Sequence, residues 1–274
     1  MFPAFLANIK IVKADVPAVL NDATAWGGLW QASAGRFLLD VPDVARYLVE
    51  GGEHVTIEPA AGASPDAVQR FAGMSPLSAL LYQRGILALH AAAVSNVRGA
   101  ILLAGDSGAG KSALLATLLQ RGWSLISDDL AVVDVDDEGC AFVRPTFPEI
   151  ALWPDSLEKL GYDLNRLPGY DTNRRLLSLP DQLAVESKPL CAIYWQGVHN
   201  KDEIIRNDLS GAARFQAVGT ILYNSHIADA LLDRVAYMRK TSAIAEKIRI
   251  VRLYRPRGKW RVADLADVIE NELK

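Results

Sequence analysis

Residues 105–112 read Gly-Asp-Ser-Gly-Ala-Gly-Lys-Ser and match the pattern GxxxxGK[ST] in full. Before them, residues 100–104 form a short apolar run typical of a buried strand, and after them residues 112–120 have the periodicity of a helix. This order of strand, glycine loop and helix constrains the fold strongly, because it is the setting in which such a loop binds phosphate. We therefore expect an α/β fold built around this loop.

Phosphate binding explains the residue types of the loop. Glycines let the backbone curl until successive N–H groups point at phosphate oxygens, and the start of the following helix adds a positive dipole. Lys111 supplies a point charge, and Ser112 has a hydroxyl suited to Mg²⁺. The sequence thus predicts a site for ATP and Mg²⁺, and the predicted nucleotide-binding residues are Gly105, Asp106, Ser107, Gly108, Ala109, Gly110, Lys111 and Ser112.

Composition narrows the class of protein further. The chain has 274 residues, of which 50% are hydrophobic, so it can bury a sizeable core. A formal net charge of -3 disfavours a protein that coats nucleic acid or an anionic membrane. Cys140 and Cys191 lie far apart and lack metal-ligand spacing. No apolar stretch is long enough for a membrane span and no basic secretory leader is present, so we expect a cytoplasmic protein.

Residues 1–72 are predicted to form a small β-rich accessory domain. Short candidate strands at residues 9–12, 36–39 and 54–57 are separated by glycine and proline, with one candidate helix at residues 42–50. Residues 59–65 are small and turn-rich, which is typical of a linker. Residues 73–274 then form the second predicted domain, and the first is the candidate for docking a substrate because it lacks chemical motifs.

The second domain is predicted to contain a mixed sheet. Strands at residues 86–94 and 100–104 are joined by a turn too short for a parallel crossover, so they should be antiparallel. After a helix at residues 76–84 and these two strands, the remaining predicted elements are strands at 123–127, 190–196 and 248–254, a hairpin at 130–134 and 141–144, and helices at 229–246 and 263–273.

Three more residues are placed where nucleotide chemistry needs them. His90 lies on the strand before the loop, and Asp128 and Asp129 follow the strand after the loop helix. Strands that flank such a loop present their carboxyl ends to the nucleotide. One carboxylate can therefore ligate Mg²⁺ while the other accepts a proton from an attacking hydroxyl. A histidine in an apolar strand is as often a core residue, so His90 is the weaker candidate.

These motifs together resemble the C-terminal domain of HPr kinase/phosphorylase and related serine kinases, including peptide-tailoring kinases of the lasso-peptide type. The shared features are the histidine, the loop, and an Arg-Gly turn before a strand that ends in two aspartates. The resemblance implies a P-loop kinase core of the HPr kinase (PEP carboxykinase-like) type. It implies that Asp128 is the general base, that His90 assists it, and that Ser112 and Asp129 serve the metal. Relatives form oligomers, so a homo-oligomer is implied as well.

Two departures from the family pattern concern activity. Bifunctional members have a glutamate directly after the loop serine, whereas this chain has Ala113. They also carry a Glu-Ile-Arg-Gly signature associated with phosphorylase activity, and the counterpart here begins at Glu149 and lacks the arginine. The sequence therefore favours a kinase without phosphorylase activity.

Two basic segments have open interpretations. Residues 163–182 lie where the family has a mobile basic loop, and Arg174 or Arg175 could close over transferring phosphate, although a solvated loop explains them equally well. Residues 255–260, Arg-Pro-Arg-Gly-Lys-Trp, either dock an acidic partner or simply cap the last strand, and the second interpretation is favoured.

The combined hypothesis is an ATP-dependent kinase that phosphorylates a serine hydroxyl of a peptide or small protein. Two alternatives remain at this point. The chain could phosphorylate a small-molecule hydroxyl, because the loop and the aspartates do not define the size of the acceptor. It could also be a non-catalytic module whose partner binding depends on nucleotide, which would explain the missing acidic residue after Ser112.

Overall fold

The computed structural model describes residues 3–6, 8–171 and 173–273. The first strands are β1 (Lys10–Lys13), β2 (Ala25–Trp26), β3 (Trp30–Ser33), β4 (Arg36–Val41), β5 (Ala45–Glu50), β6 (His54–Pro59), β7 (Leu87–His90), β8 (Ala92–Asn96) and β9 (Gly99–Gly105). The later strands are β10 (Ser124–Ser127), β11 (Leu130–Val135), β12 (Ala141–Arg144), β13 (Glu149–Leu152), β14 (Arg175–Ser178), β15 (Lys188–His199), β16 (Ile205–Asp208) and β17 (Arg249–Pro256). The helices are α1 (Pro65–Ala72), α2 (Ser75–Gln83), α3 (Lys111–Gln120), α4 (Pro154–Lys159), α5 (Ala212–Thr220), α6 (Ser225–Leu231), α7 (Arg234–Lys247) and α8 (Val262–Glu272).

The chain divides into two compact units. The first contains Met1–Ala88 and Leu222–Lys240, and the second contains Leu89–Ile221 and Thr241–Lys274. The first unit therefore extends past residue 72, where the sequence places a boundary, and it includes a segment from much later in the chain. Local composition does not reveal such a returning segment, because it depends on tertiary packing.

The first unit contains a six-stranded sheet. Its strand order is β1-β6-β5-β4-β3-β2, with β1 parallel to β6 and the remaining neighbours antiparallel. Phe37, Val49 and Val55 are cross-strand neighbours on β4, β5 and β6, and all three are fully buried. These pairs stabilise one face of the sheet. The strands predicted near residues 9–12, 36–39 and 54–57 are confirmed.

The helix predicted at residues 42–50 is wrong, because this segment forms a turn and then β5. Asp43 has a φ of 60° and reverses the chain between β4 and β5. Tyr47 then pairs with Leu39 across the strands and is fully buried. Pairing with two neighbouring strands decides the structure here, since local propensity is a weak determinant when tertiary contacts compete with it.

A nine-stranded mixed sheet forms the centre of the second unit. The strand order is β10-β8-β9-β15-β12-β11-β7, and β17 pairs with β15 and with β16. The antiparallel pairing is confirmed for β8 and β9, with Ala92 opposite Leu103, but the single strand predicted at residues 86–94 is two strands, β7 and β8, which are not neighbours in the sheet. The predicted hairpin is confirmed as β11 and β12. The helix predicted at residues 229–246 is two helices, because Asp233 interrupts it and accepts a hydrogen bond from the Ala236 N–H, which caps α7.

Four strands of this sheet have their carboxyl ends on the same side, and we call this side the shared edge. β8 is antiparallel to both β9 and β10, so β10 runs in the direction of β9. β15 is parallel to β9 and β17 is parallel to β15. The segments after β9, β10, β15 and β17 therefore emerge side by side, and this edge is where α/β sheets bind ligands.

The loop helix α3 is held by a continuous apolar core. Leu114, Leu115 and Leu118 of α3 are fully buried, and the same cluster includes Val251 of β17 and Leu265 of α8. At 2–3 kcal/mol or so for each buried leucine, this packing fixes the start of α3 relative to the sheet edge. Among the described residues no helix is long and apolar enough to cross a membrane.

Candidate functional site

The glycine loop connects the end of β9 to the start of α3. Gly105 has a φ of 134°, and a Cβ on this residue would lie 2.4 Å from the carbonyl oxygen of Gln196. Gly110 precedes the first helical residue with a φ of 106°. Only glycine adopts these conformations without strain, and Gly105 must also allow the neighbouring backbone to approach. The loop thus delivers the backbone N–H groups that begin α3 to the shared edge.

Lys111 is the first residue of α3 and is only 8% exposed. Its ammonium donates to the Gly105 carbonyl at 2.8 Å and to the Asp106 carbonyl at 3.4 Å, and it lies 3.3 Å from His90 Nε2. Burial lowers the pKa of Lys111, while the charges of Asp129 and Asp128 oppose that shift. The lysine is therefore a desolvated cation on the loop itself, where a phosphate oxygen would attract it strongly.

Asp128 faces Ser112. The Ser112 hydroxyl donates to Asp128 Oδ1 at 3.0 Å, and the Ala151 N–H donates to Oδ2 at 3.0 Å. Burial raises the pKa of Asp128 to about 6, although both hydrogen bonds favour the charged form. Two adjacent oxygen ligands, a hydroxyl and a carboxylate, are thus fixed beside the loop, and this donor set suits Mg²⁺.

Asp129 pairs with His90. Its backbone has a φ of 67°, its side chain is 53% exposed, and its Oδ1 lies 3.2 Å from His90 Nδ1. The ammonium of Lys111 can only donate, so His90 Nε2 accepts from it and the Nδ1–H donates to Asp129. Burial lowers the pKa of His90, and the negative charge of Asp129 opposes this. The neutral imidazole therefore orients the exposed carboxylate.

A cleft of about 370 Å³ lies over these groups in the second unit. Residues from the loop with the start of α3 and from five other segments surround it. They are His90, Ser107, Gly108, Gly110, Lys111, Ser112, Ala113, Asp129, Ala151, Leu152, Trp153, Asp155, Ser156, Lys159, Arg174, Arg255, Gly258, Lys259, Trp260 and Val262. Asp129 borders the cleft, whereas Asp128 lies behind it against Ser112.

The structure separates the two arginines of the predicted basic loop. Arg174 borders the cleft, donates from Nε to Asp171 at 2.8 Å, and lies 4.9 Å from the centre of the Tyr170 ring. Arg175 begins β14, is exposed, and does not border the cleft. Arg174 is therefore the one of the pair that can reach a ligand in this conformation.

Sequence reasoning singled out the segment at residues 255–260, which we call the C-terminal turn, but favoured a strand-capping role and did not assign it to the site. Arg255, Gly258, Lys259 and Trp260 all border the cleft. The basic and aromatic pattern is visible in the sequence, but its position depends on β17 lying parallel to β15 at the shared edge. Strand order is a long-range property that the local pattern does not encode.

Gln196 was missed. It lies in β15 with its backbone opposite Gly105, it is 2% exposed, and neither its Oε1 nor its Nε2 has a partner among the described residues. Its Oε1 is 3.9 Å from the position of a Cβ on Gly110, so the amide lies under the loop. A buried amide without partners is costly, and the sequence signal for it is a polar residue directly after the apolar run at residues 190–195.

Within the part of the chain that the structure describes, no three His, Cys, Asp or Glu side chains come together as a metal-binding group. Cys140 and Cys191 are both free thiols. A metal ion at the cleft would therefore have Ser112 and Asp128 as protein ligands and would take its other ligands from phosphate and water, as Mg²⁺ often does.

Comparisons with known proteins give likeness to solved structures but no sequence match. No protein-family profile matches the chain, and no curated protein matches it in sequence. Among solved structures, the Hpr(Ser) kinase/phosphatase from Coxiella burnetii is similar to it with a TM-score of 0.37 and 12% sequence identity. That likeness covers 68% of this chain and 90% of the Coxiella chain.

Proposed function

We propose that this protein is an ATP-dependent kinase that transfers the γ-phosphoryl group to a serine hydroxyl of a peptide or small protein. One observation carries the proposal. A glycine loop with a buried lysine lies beside two successive aspartates, of which one is bonded to the loop serine and the other is exposed to the cleft. This arrangement provides separate groups for phosphate, for metal and for the acceptor proton.

The loop and Lys111 would hold the phosphates. N–H groups at the start of α3 and a desolvated ammonium are fixed before the ligand arrives, so little reorganisation opposes binding. Lys111 would exchange its contacts with the Gly105 and Asp106 carbonyls for phosphate oxygens.

The two aspartates exchange the roles that the sequence predicts. Asp128 and Ser112 would hold Mg²⁺, because their oxygens are adjacent beside the loop and Ser112 borders the cleft where the phosphates would lie. When bound, Mg²⁺ neutralises charge on the phosphates during transfer. Asp129 is the carboxylate at the cleft, so it would accept the proton of the acceptor hydroxyl while His90 orients it.

The phosphoryl transfer makes one bond, breaks one bond and moves one proton. The serine oxygen forms a bond to the γ-phosphorus as the bond from that phosphorus to the bridging oxygen breaks, and ADP leaves. The hydroxyl proton passes to Asp129. Arg174, which borders the cleft on a polar segment, would stabilise charge on the transferring group, as arginines on closing loops do.

Transfer of radiolabelled phosphate tests the proposal. Purified protein is incubated with Mg²⁺, γ-labelled ATP and a library of serine-containing peptides, and the label on peptide is measured. Lys111→Ala should abolish labelling, whereas Lys13→Ala, at an exposed lysine of the first unit, is the matched control. No labelled peptide under conditions in which a known serine kinase labels its own substrate would reject the proposal.

The same assay separates the acceptor classes. A metabolite mixture replaces the peptides in a parallel reaction, and ADP is measured together with the labelled product. Label on a metabolite and none on peptide would show a small-molecule kinase. ATP binding without ADP formation in either reaction would show a non-catalytic nucleotide-binding module.

A further inference from the structure

We propose that the C-terminal turn recognises the nucleotide part of the phosphate donor, with Arg255 binding a phosphate oxygen and Trp260 stacking on the nucleobase. This inference rests on the proposed function and deepens it, because it assigns the donor to nucleoside triphosphates rather than inorganic polyphosphates. The argument depends on strand order, on the charge partners of the cleft cations, and on an exposed indole.

Strand order places the turn on the side of the loop away from the proton acceptor. β10, which ends at the aspartates, is two strands from β9 on one side, and β17 is two strands from β9 on the other. Strands are spaced by about 4.8 Å, so each lies roughly 10 Å from the loop strand. The acceptor hydroxyl must approach Asp129, so the remainder of the donor extends away from it, toward the C-terminal turn.

Arg255 has a different kind of hydrogen-bond partner from Arg174, Lys159 and Lys259, the other cations compared at the cleft. Lys259 pairs with Asp202, Lys159 with Asp155 and Arg174 with Asp171. The Arg255 guanidinium instead donates only to the carbonyls of Ala109, Pro256 and Lys259, each at 3.4 Å, and no carboxylate of the described residues is within ion-pair distance.

Lys111 has the same kind of environment, with carbonyl acceptors from the loop and no ion pair among the described residues. Burial lowers the pKa of Arg255, which shows that its charge is partly desolvated. A partly desolvated cation without an anionic partner gains most from a phosphate oxygen. Arg255 and Lys111 are therefore the two cations of the cleft arranged for an anionic ligand.

Gln196 supports this assignment as a positioning residue. Its Oε1 and the Arg255 Nε lie 3.9 Å and 3.7 Å from the same point, the position of a Cβ on Gly110. The amide is buried without partners, so it can hold Arg255 or a phosphate oxygen when the guanidinium leaves the carbonyls. The buried amide and the guanidinium, which has no carboxylate partner, thus both lie within 4 Å of the Cβ position of the loop residue Gly110.

Trp260 provides the surface for the base. Its indole borders the cleft and is 38% exposed, and Lys159 Nζ lies 5.0 Å from its ring centre in a cation–π contact. Any nucleobase can stack on an indole, and this stacking contributes on the order of 1–3 kcal/mol in other proteins. Tripolyphosphate has no base and gains nothing from Trp260.

Two ligands and two pairs of variants test the inference. The dissociation constants of ATP and of inorganic tripolyphosphate, both with Mg²⁺, are measured by calorimetry. Trp260→Ala should weaken ATP on the order of tenfold and leave tripolyphosphate within about twofold. Arg255→Gln should weaken both ligands. Trp26→Ala and Arg257→Gln, at exposed residues that do not border the cleft, are the matched controls.

The outcomes separate this inference from the proposed function. Equal affinity of wild type and Trp260→Ala for ATP, or equal weakening of both ligands, would overturn the inference and leave the kinase proposal standing. If wild type binds neither ligand, both proposals fail. If Trp260→Ala does not fold, the fallback variant is Trp260→Phe, and the measurement is quenching of tryptophan fluorescence by ATP. ATP should quench part of the fluorescence of wild type, and Trp260→Phe should lack this quenching. Its retention would overturn the inference.

Discussion

The hydroxyl of Ser112 and the carboxylate of Asp128 are hydrogen-bonded at 3.0 Å across the start of α3 and the end of β10. Their bond joins the glycine loop to a strand two positions away in the sheet. The loop serine is thus already oriented by a carboxylate, while Asp129, the next residue, is directed to the cleft. Because Asp128 is bonded to Ser112 and Asp129 borders the cleft, substitutions at the two positions should have different effects.

Asp129→Asn should lower turnover by roughly 10²- to 10⁴-fold, because it removes the group that accepts the hydroxyl proton. Its affinity for Mg²⁺ and ATP should remain within a few-fold of wild type. Single-turnover kinetics and calorimetry measure the two quantities on the same preparation. Normal turnover in Asp129→Asn would return the role of the general base to Asp128.

Asp128→Asn should remove most of the enhancement that Mg²⁺ gives to ATP binding, because a neutral amide replaces the carboxylate beside Ser112. ATP binding measured in EDTA should change little. Calorimetric titrations with and without Mg²⁺ give the comparison. An undiminished Mg²⁺ effect in this variant would show that Asp128 is not a metal ligand.

Asp128 should also give the protein a distinctive pH dependence of stability. Burial raises its pKa from 3.8 to about 6, so between these values the folded protein holds a proton that the unfolded chain releases. The contribution of this group is fully present below pH 4 or so, and the free energy of unfolding falls as pH rises toward about 6, by at most ~1.4 kcal/mol per pH unit.

Denaturant unfolding of wild type and Asp128→Asn, without nucleotide or Mg²⁺, isolates this contribution between pH 4.5 and 6.5. The stability of wild type relative to the variant should decrease as pH rises. A difference that stays constant over the range would contradict the prediction.

Gly105→Ala should destabilise the protein strongly. The added Cβ would lie 2.4 Å from the Gln196 carbonyl oxygen at a φ of 134°, so steric overlap and backbone strain together cost roughly 2–6 kcal/mol. Gly108→Ala is the matched control, since its Cβ would meet nothing within 4 Å and only its φ of 80° is unfavourable, at a cost of about 1–2 kcal/mol. Urea unfolding measures both, and equal losses would show that the contact with β15 is unimportant.

Local patterns predicted the elements around the loop well. The turn between β8 and β9 is too short for a crossover, so their antiparallel pairing follows from chain geometry alone. The helix prediction for residues 42–50 failed because tertiary pairing, and not local chain geometry, decides the structure there. Tyr47, Leu48 and Val49 are all buried in β5, and this burial depends on pairing with β4 and β6 on either side.

The candidate site was predictable in residue types and less so in geometry. The sequence does not say which of Asp128 and Asp129 borders the cleft, because the chain leaves the extended conformation here and Asp129 has a positive φ that local composition does not predict. The position of Arg255 and the presence of Gln196 at the site were not predicted, because their proximity to the loop depends on the order of β9, β15 and β17. Distances along the chain carry no information about that order.

The positive φ of Asp129 has a consequence for which amino acids this position tolerates. Glycine, asparagine and aspartate enter that region of the Ramachandran map at low cost, and branched or bulky residues do not. Of these three tolerated residues, aspartate alone is an anion. Backbone sterics and the proposed need for a negative charge are therefore two independent requirements at this position. Of the twenty amino acids, aspartate is the one that satisfies both.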